Sequence, residues 1–376
     1  MSFWPVIIAG ATLFVAYANG ANDNFKGVAT LFGSGTTDYR KALWWATGTT
    51  LAGSVAAFFW ATQLVSMFQG NGLLPAFLIQ SQPFIAAVIL GAALTVISAT
   101  KIGIPISTTH SLTGALCGGG LVAVGFEIGF QTLIEGFFLP LLVSPLLAVS
   151  LAAVGYPLLD RALRFSGLTK ENCLCVASEA VLTAATPGGI TIRESTPGLR
   201  VIVERQSVCA QTFSGALFGI NAQKLFDIGH FLSAGAVSFA RGLNDAPKIV
   251  AMGLAVGALD LQWSIGSVAV VMALGGLLNA RKVAETVSKR ITPMEPDHGF
   301  VANIVTSFLI IFASRWGLPV STTHVSCGSL FGIGIANGQA NWGVIRTILF
   351  AWILTLPLAA ASAGLIYSIL NRVTAG

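Results

Sequence analysis

The segment Gly-Ile-Pro-Ile-Ser-Thr-Thr-His at residues 103–110 recurs as Gly-Leu-Pro-Val-Ser-Thr-Thr-His at residues 317–324. Gly-Ala-Asn-Asp at residues 20–23 likewise recurs as Gly-Leu-Asn-Asp at residues 242–245. We term the first pair the Ser-Thr-Thr-His boxes. We term the second pair, each extended to the lysine three residues after its aspartate (residues 20–26 and 242–248), the Asn-Asp motifs. Because both motifs recur in the same order, the sequence indicates two copies of one structural unit.

The composition predicts a membrane protein. Of the 376 residues, 54% are hydrophobic and only 9% are charged, whereas a soluble domain carries about 25% charged residues. This excludes a disordered chain, a secreted disulfide scaffold and an ordinary cytosolic enzyme, and it leaves a polytopic membrane protein. The net charge of +5 is modest. We read the loop Lys and Arg residues as reporters of orientation, and we expect no nucleic-acid partner.

Apolar stretches predict ten membrane crossings, five in each half, embedded in the lipid bilayer. They are residues 3–33, 42–66, 83–100, 102–124, 136–156, 226–257, 263–280, 298–314, 316–336 and 343–370. Segments near Pro105 and Pro319 could instead be re-entrant. An odd number of crossings in each half predicts an all-α fold of two inverted-topology repeats with broken or re-entrant helices, which is typical of secondary transporters.

The predicted domains are a first membrane repeat at 1–156, a cytoplasmic insert at 157–225 and a second, inverted repeat at 226–376. Within the insert, the runs 191–192 and 199–203 are weakly β-like. If the N-terminus lies outside, nearly all loop Lys and Arg residues lie inside, and only Arg315 and Arg372 lie outside. We therefore expect a plasma (inner) membrane protein with both termini outside.

Ionisable residues occur within the apolar segments at both Asn-Asp motifs. They are Asp23, Lys26, Arg241, Asp245 and Lys248. Such groups are costly in a membrane and are candidates for function. The alternative is that each Asp–Lys pair, spaced i,i+3, only stabilises the helices.

Asn22 and Asn244 add amide groups beside the carboxylates. Helix breaks are favoured here by Gly20, Gly27, Gly242 and Pro247.

The Ser-Thr-Thr-His boxes predict two helix N-termini, because proline suits the first turn and Ser or Thr caps it. Such an end binds anions, phosphate in particular. The candidate ligands are the hydroxyl groups of Ser107, Thr108, Thr109, Ser321, Thr322 and Thr323. The alternative is an ordinary N-cap. His110 and His324 are ligands, proton carriers or neutral residues that orient the helix.

Together these groups suit a small tetrahedral oxyanion. Protonated phosphate can donate a hydrogen bond to a carboxylate, whereas sulfate has no proton to donate. The Lys and Arg residues would offset the negative charge of the anion. The sequence predicts neither a metal site nor a cofactor.

At these motifs the chain resembles the inorganic phosphate transporter (PiT) family, across both membrane halves. The resemblance implies a phosphate symporter of inverted-repeat fold, often a homodimer. It implies that Asn22, Asp23, Asn244 and Asp245 line the central site and that the box hydroxyls donate to the anion. In that family the first Asn-Asp motif usually ends in Val-Ala-Asn. Here it ends in Asn24-Phe25-Lys26, which makes sodium coupling less expected than proton coupling.

We therefore predict a secondary carrier of inorganic phosphate, coupled to protons, and not an enzyme. The alternatives are a carrier of sulfate or another tetrahedral oxyanion, a sodium-coupled phosphate symporter, an anion channel, and an intramembrane hydrolase that uses Ser107 or Ser321 with a histidine. The chain has no ATP-binding glycine-rich loop of the Gly-x-x-x-x-Gly-Lys-Ser/Thr type.

Overall fold

The computed structural model describes residues 3–165, 172–178, 199–205, 218–257 and 261–375. The chain divides into two compact units. The larger unit comprises Met1–Tyr156 and His230–Gly376, and the smaller unit comprises Pro157–Gly229.

The larger unit is built from α-helices, and two of the helices given below, at Leu139–Phe165 and Ala222–Ala255, extend into the residue range of the smaller unit. In the first half these are α1 (Trp4–Asp23), α2 (Ala29–Gly33), α3 (Tyr39–Trp60), α4 (Thr62–Phe68), α5 (Ala76–Ile79), α6 (Gln82–Ile102), α7 (Thr108–Val124) and α8 (Leu139–Phe165). In the second half they are α9 (Ala222–Ala255), α10 (Leu261–Asn279), α11 (Arg281–Lys289), α12 (Pro296–Arg315), α13 (Thr322–Ala336) and α14 (Trp342–Ala375). A 3₁₀ turn at Lys26–Val28 and a π-helical turn at Thr132–Phe138 complete the set.

Five of the described helical segments are long and apolar enough to cross a membrane. The count rises to seven if α3 with α4 and α10 with α11 each form one bent span. These seven coincide with seven of the ten predicted crossings. The other three predicted crossings contain α7, α9 and α13. Helix α9 is long enough, but it carries Arg241, Asp245 and Lys248 close together.

Helices α7 and α13 are shorter than a typical membrane crossing. They have 17 and 15 residues, and a crossing needs about 20. Each follows a glycine with positive φ, Gly103 at 77° and Gly317 at 69°, a conformation that glycine adopts without strain. The extended segment after each glycine contains the box proline. This backbone makes both boxes helix starts in the interior of the protein.

Glycines allow two helix pairs to approach closely. A β-carbon at Gly20 on α1 would overlap the Met272 carbonyl of α10, and one at Gly242 on α9 would overlap the Thr50 carbonyl of α3. Met272 follows Asp245 at the same distance along the chain as Thr50 follows Asp23. The two packing contacts are therefore equivalent in the two halves, as expected for a duplicated membrane unit held by small residues.

The smaller unit contains the described strands. They are β1 (Asn172–Ser178), β2 (Leu199–Arg205) and β3 (Phe218–Asn221), and they form an antiparallel sheet in the order β2-β1-β3. The all-α prediction thus describes the membrane part, and the predicted β-like run at 199–203 lies in β2. Residues 191–192 lie outside the described residues.

Candidate functional site

Each Ser-Thr-Thr-His box begins a helix, as the sequence predicted. The Ser107 hydroxyl accepts a hydrogen bond from the backbone N–H of His110 at 3.1 Å, and the Ser321 hydroxyl accepts one from His324 at 3.1 Å. Both serines are therefore N-caps of α7 and α13. The alternative that the box hydroxyls only cap a helix therefore holds for the serines. The threonines of the boxes have other hydrogen-bond partners.

The lysine at the end of the first Asn-Asp motif, Lys26, donates hydrogen bonds to four oxygen atoms. Asp23 is the last residue of α1, and Lys26 follows in the 3₁₀ turn. The Lys26 ammonium donates to the Asp23 carboxylate and to Asn22 Oδ1 at 2.8 Å. It also donates to the Ile106 carbonyl at 2.9 Å and to Thr323 Oγ1 at 2.6 Å. One ammonium thus joins the first motif to both boxes.

The second Asn-Asp motif differs in its ion pairs. Lys248 donates to Thr109 Oγ1 at 2.9 Å and to the Val320 carbonyl at 2.6 Å. The Asp245 carboxylate lies 3.7 Å from Nε of Arg241, one helical turn before it. The i,i+3 Asp–Lys pair considered from the sequence forms at Asp23 but not at Asp245. The i,i+4 position of Arg241 brings its guanidinium to the carboxylate instead.

Asn19, which the sequence analysis did not select, connects the two carboxylates. Its Nδ2 donates to Asp23 Oδ2 at 2.9 Å, to Asp245 Oδ2 at 3.2 Å and to Thr108 Oγ1 at 3.0 Å. Its Oδ1 accepts from Arg241 Nη2 at 2.7 Å. Asn19 precedes Asp23 by four residues, as Arg241 precedes Asp245. Extending the repeat alignment by one residue before Gly20 and Gly242 would have paired Asn19 with Arg241.

The first of the two threonines in each box lies against one carboxylate. Thr108 Oγ1 is 3.3 Å from Asp23 Oδ2, and Thr322 Oγ1 is 3.4 Å from Asp245 Oδ2. The Asn19 amide thus links both carboxylates and the Thr108 hydroxyl, and the Thr322 hydroxyl joins this group through Asp245. All five side chains are buried.

The two motif asparagines tie the motifs to neighbouring segments. Asn22 Nδ2 donates to Thr100 Oγ1 at 2.9 Å, and its Oδ1 accepts from the backbone N–H of Ile106 at 3.1 Å. Asn244 Oδ1 accepts from Ser314 Oγ at 3.1 Å. Thr100 and Ser314, at equivalent positions before the two boxes, were not selected from the sequence.

The histidines lie against each other rather than against the carboxylates. The ring centroids of His110 and His324 are 4.1 Å apart, and His324 stacks on Trp352 at 3.8 Å. Both rings line a cavity of about 590 Å³ whose other walls are almost entirely apolar. Among the hydrogen bonds of the described residues, neither ring contacts the Asp or Lys side chains of the Asn-Asp motifs. A coupling role for the histidines therefore stays a prediction.

The described residues hold no cluster of three or more His, Cys, Asp or Glu side chains that could bind a metal ion. What the centre offers is donors and acceptors for a small polar solute, buried between two motif copies in a helical membrane protein. Buried ionisable groups between two copies of one motif are typical of secondary membrane carriers.

The chain belongs to the phosphate transporter family, whose family model matches residues 19–363. It is a transporter and not an enzyme. Two similar proteins named "putative phosphate permease" come from Pyrococcus horikoshii and Haemophilus influenzae. The first is 26% identical, covering 98% of this chain and 98% of that protein, and the second is 28% identical, covering 98% and 97%. A protein of Bacillus subtilis named "probable low-affinity inorganic phosphate transporter" is 27% identical over 77% of this chain and 76% of its own.

A solved structure described as "the sodium-dependent phosphate transporter" superposes with a TM-score of 0.77 at 22% identity, covering 99% of this chain and 100% of that one. At this identity the similarity establishes the fold alone. The all-helical membrane architecture predicted from the sequence is confirmed. The inversion of the second repeat stays a prediction.

Proposed function

We propose that this protein carries inorganic phosphate across the plasma membrane by symport with protons, and that the Asn-Asp motifs and boxes form the central site. One observation carries the proposal. The Asn19 amide donates to the carboxylates of Asp23 and Asp245, one from each half, and to the Thr108 hydroxyl, while the Thr322 hydroxyl contacts the same oxygen of Asp245.

This combination of groups favours phosphate over sulfate. A phosphate that retains a proton donates a hydrogen bond to a carboxylate and accepts hydrogen bonds from hydroxyls. Sulfate has no proton at neutral pH, so it would meet the oxygens of Asp23 and Asp245 with repulsion only. A phosphate group that donates to these oxygens would replace the Asn19 amide as their partner.

The surroundings of Lys26 support proton coupling over sodium coupling. Four oxygen atoms, from Asn22, Asp23, Ile106 and Thr323, surround its ammonium group. A shell of oxygen ligands is also what hard metal cations require. A sodium ion beside the same carboxylate would lie close to a fixed positive charge at low dielectric, which is strongly unfavourable. The alternative is sodium-linked phosphate uptake, as the description of the solved structure states for that protein.

The proposal includes an orientation and an assembly. We propose that both termini lie outside, that the insert at 157–225 is cytoplasmic and that the protein is a homodimer. The positive charges of the loops support the first two statements. The family resemblance supports the third.

The test is uptake of labelled inorganic phosphate into proteoliposomes that contain the purified protein. An imposed proton gradient should drive phosphate accumulation equally in choline and in sodium medium when the inside pH and the outside pH are each the same in the two media. Unlabelled arsenate should compete, because it carries protons at the same pH, and sulfate should not. Uptake that stops without Na⁺ and saturates with Na⁺ would overturn proton coupling. Uptake inhibited by sulfate would overturn the choice of substrate.

A further inference from the structure

The buried centre contains one positive charge that no carboxylate matches. Its charged side chains are Asp23 and Asp245 on one side and Lys26, Arg241 and Lys248 on the other, each at most 5% exposed. Asp23 pairs with Lys26, and Asp245 pairs with Arg241. Within the described residues, no carboxylate oxygen lies within 4.0 Å of the Lys248 ammonium.

The sequence encodes this difference between the halves. Arg241 donates to Asn19 Oδ1, Asn24 Oδ1 and Thr50 Oγ1, which all belong to the first half. The equivalent residues of the second half are Arg241 itself, Ala246 and Met272, and none of them offers a comparable acceptor. At these positions, therefore, only the first half offers the guanidinium group three side-chain oxygen acceptors. Arg241 consequently reaches across from the second half and takes Asp245 as its ion-pair partner.

Lys248 is left with weaker partners than Lys26. Its ammonium donates to Thr109 Oγ1 and the Val320 carbonyl, both uncharged, and lies 5.7 Å from the centroid of the Phe68 ring. An ammonium has three N–H donors, so one remains for another acceptor. Burying such a charge without an anion is costly.

The position of Lys248 favours an anionic partner. Thr109 lies in the first turn of α7, where the unpaired backbone N–H groups carry a partial positive charge. An ammonium and a helix N-terminus repel each other unless an anion lies close to both. At the equivalent start of α13, the ammonium of Lys26 contacts Thr323, and the Asp23 carboxylate supplies that anion.

We propose that Lys248 binds the transported oxyanion directly, whereas Lys26 is a permanent counter-charge of Asp23. This inference rests on the proposed function and makes the two lysines, which the repeat alignment presents as equivalent, functionally different. The ligand is a small oxyanion with one oxygen atom on the Lys248 ammonium. Inorganic phosphate is the probe.

The experiment compares Lys248→Gln with Lys26→Gln in purified protein. Binding of labelled phosphate, half-saturation of uptake and the melting temperature are measured for each. We expect Lys248→Gln to weaken phosphate binding about tenfold or more, with a melting temperature at or above that of the parent. Lys26→Gln should lower the melting temperature, because it leaves Asp23 buried without its cation. Lys248→Arg, which keeps the charge, should retain more affinity than Lys248→Gln.

Two results would overturn the inference. One is an unchanged phosphate affinity in Lys248→Gln. The other is a loss of stability in Lys248→Gln as large as that in Lys26→Gln, which would make Lys248 structural. If Lys248→Gln does not fold, Lys248→Arg decides, since a structural charge predicts unchanged affinity and a direct ligand predicts an altered one. Parent protein that binds no phosphate would instead refute the proposed function itself.

Discussion

At the scale of single residues, the two aspartates have different partners, so their substitutions should differ in stability. Asp23→Asn removes the charge that directly binds the Lys26 ammonium, and breaking a buried ion pair costs about 3–5 kcal/mol. Asp245→Asn leaves Arg241 bonded to Asn19, Asn24 and Thr50. We expect both variants to lose phosphate uptake and Asp23→Asn to lose more thermal stability than Asp245→Asn, because Arg241 keeps three oxygen acceptors whereas Lys26 loses its direct carboxylate partner. Melting temperature and uptake in proteoliposomes measure the two effects.

The double variant Asp23→Asn/Lys26→Gln is the control for that prediction. It removes both charges, so it should recover most of the lost stability while uptake stays absent. Normal uptake by Asp23→Asn and Asp245→Asn would mean that the carboxylates serve structure alone.

The first threonine of each box should affect the affinity for phosphate more than it affects the stability of the fold. Thr108→Val and Thr322→Val each remove one hydroxyl and keep the shape of the side chain. A lost hydrogen bond to a charged group is worth about 1.5–3 kcal/mol, so the half-saturation concentration for phosphate should rise about tenfold or more. Thr95→Val is the matched control, because the Thr95 hydroxyl bonds only to the Gly91 carbonyl of its own helix. An unchanged half-saturation value in both box variants would exclude these hydroxyls from the site.

The repeated motifs predicted that the Asn-Asp carboxylates and the box threonines come together, because equivalent segments of a duplicated chain pack in equivalent ways. The partners of the charges were not predictable. Local spacing permits Asp245 to pair with Lys248, but a guanidinium four residues earlier reaches it instead. Asn19 was not selected from the sequence because the equivalent residue of the second half, Arg241, is of a different type. Such choices depend on contacts between distant segments, which no local pattern encodes.

At the scale of helices, the approach of α1 to α10 depends on Gly20. Gly20→Ala would force a β-carbon into the Met272 backbone carbonyl, which cannot move without shifting α10. We expect little folded protein, as measured by detergent-solubilised yield and monodispersity. Gly10→Ala is the control on the same helix, because a β-carbon there meets nothing within 4 Å. It should accumulate like the parent. Equal yields for both variants would show that the helices can separate without loss.

Helix boundaries followed the sequence where a local signal dictated them. Gly103 and Gly317 mark the turns before the boxes, and both serines cap the helices that follow. The break expected at the Asn-Asp motifs forms in the first half only, where α1 ends at Asp23. In the second half α9 continues through Pro247. Proline lacks an N–H and disfavours a helix interior, so tertiary packing decides this stretch.

At the scale of the whole molecule, the duplicated sequence makes a prediction about orientation. Lys101 and Arg315 each precede a box glycine by two residues, in the last turns of α6 and α12, and both are exposed. If the second repeat is inverted, these equivalent residues lie on opposite sides of the membrane. The bias of positive charge toward the inside then assigns Lys101 to the cytoplasm.

Cysteine labelling in whole cells tests this inversion. Lys101→Cys and Arg315→Cys are introduced separately into a variant without the five native cysteines, and a thiol reagent that cannot cross membranes is added. Because the reagent reaches only the outer face of intact cells, Arg315→Cys should be labelled at once and Lys101→Cys only after permeabilisation. The unsubstituted cysteine-free variant gives the background, and phosphate uptake shows that each variant is folded. Labelling of both positions from the same side would rule out the inverted arrangement. The two Asn-Asp motifs would then enter the membrane in the same direction. Inversion of the second repeat could not then explain why equivalent residues of both halves meet at one centre.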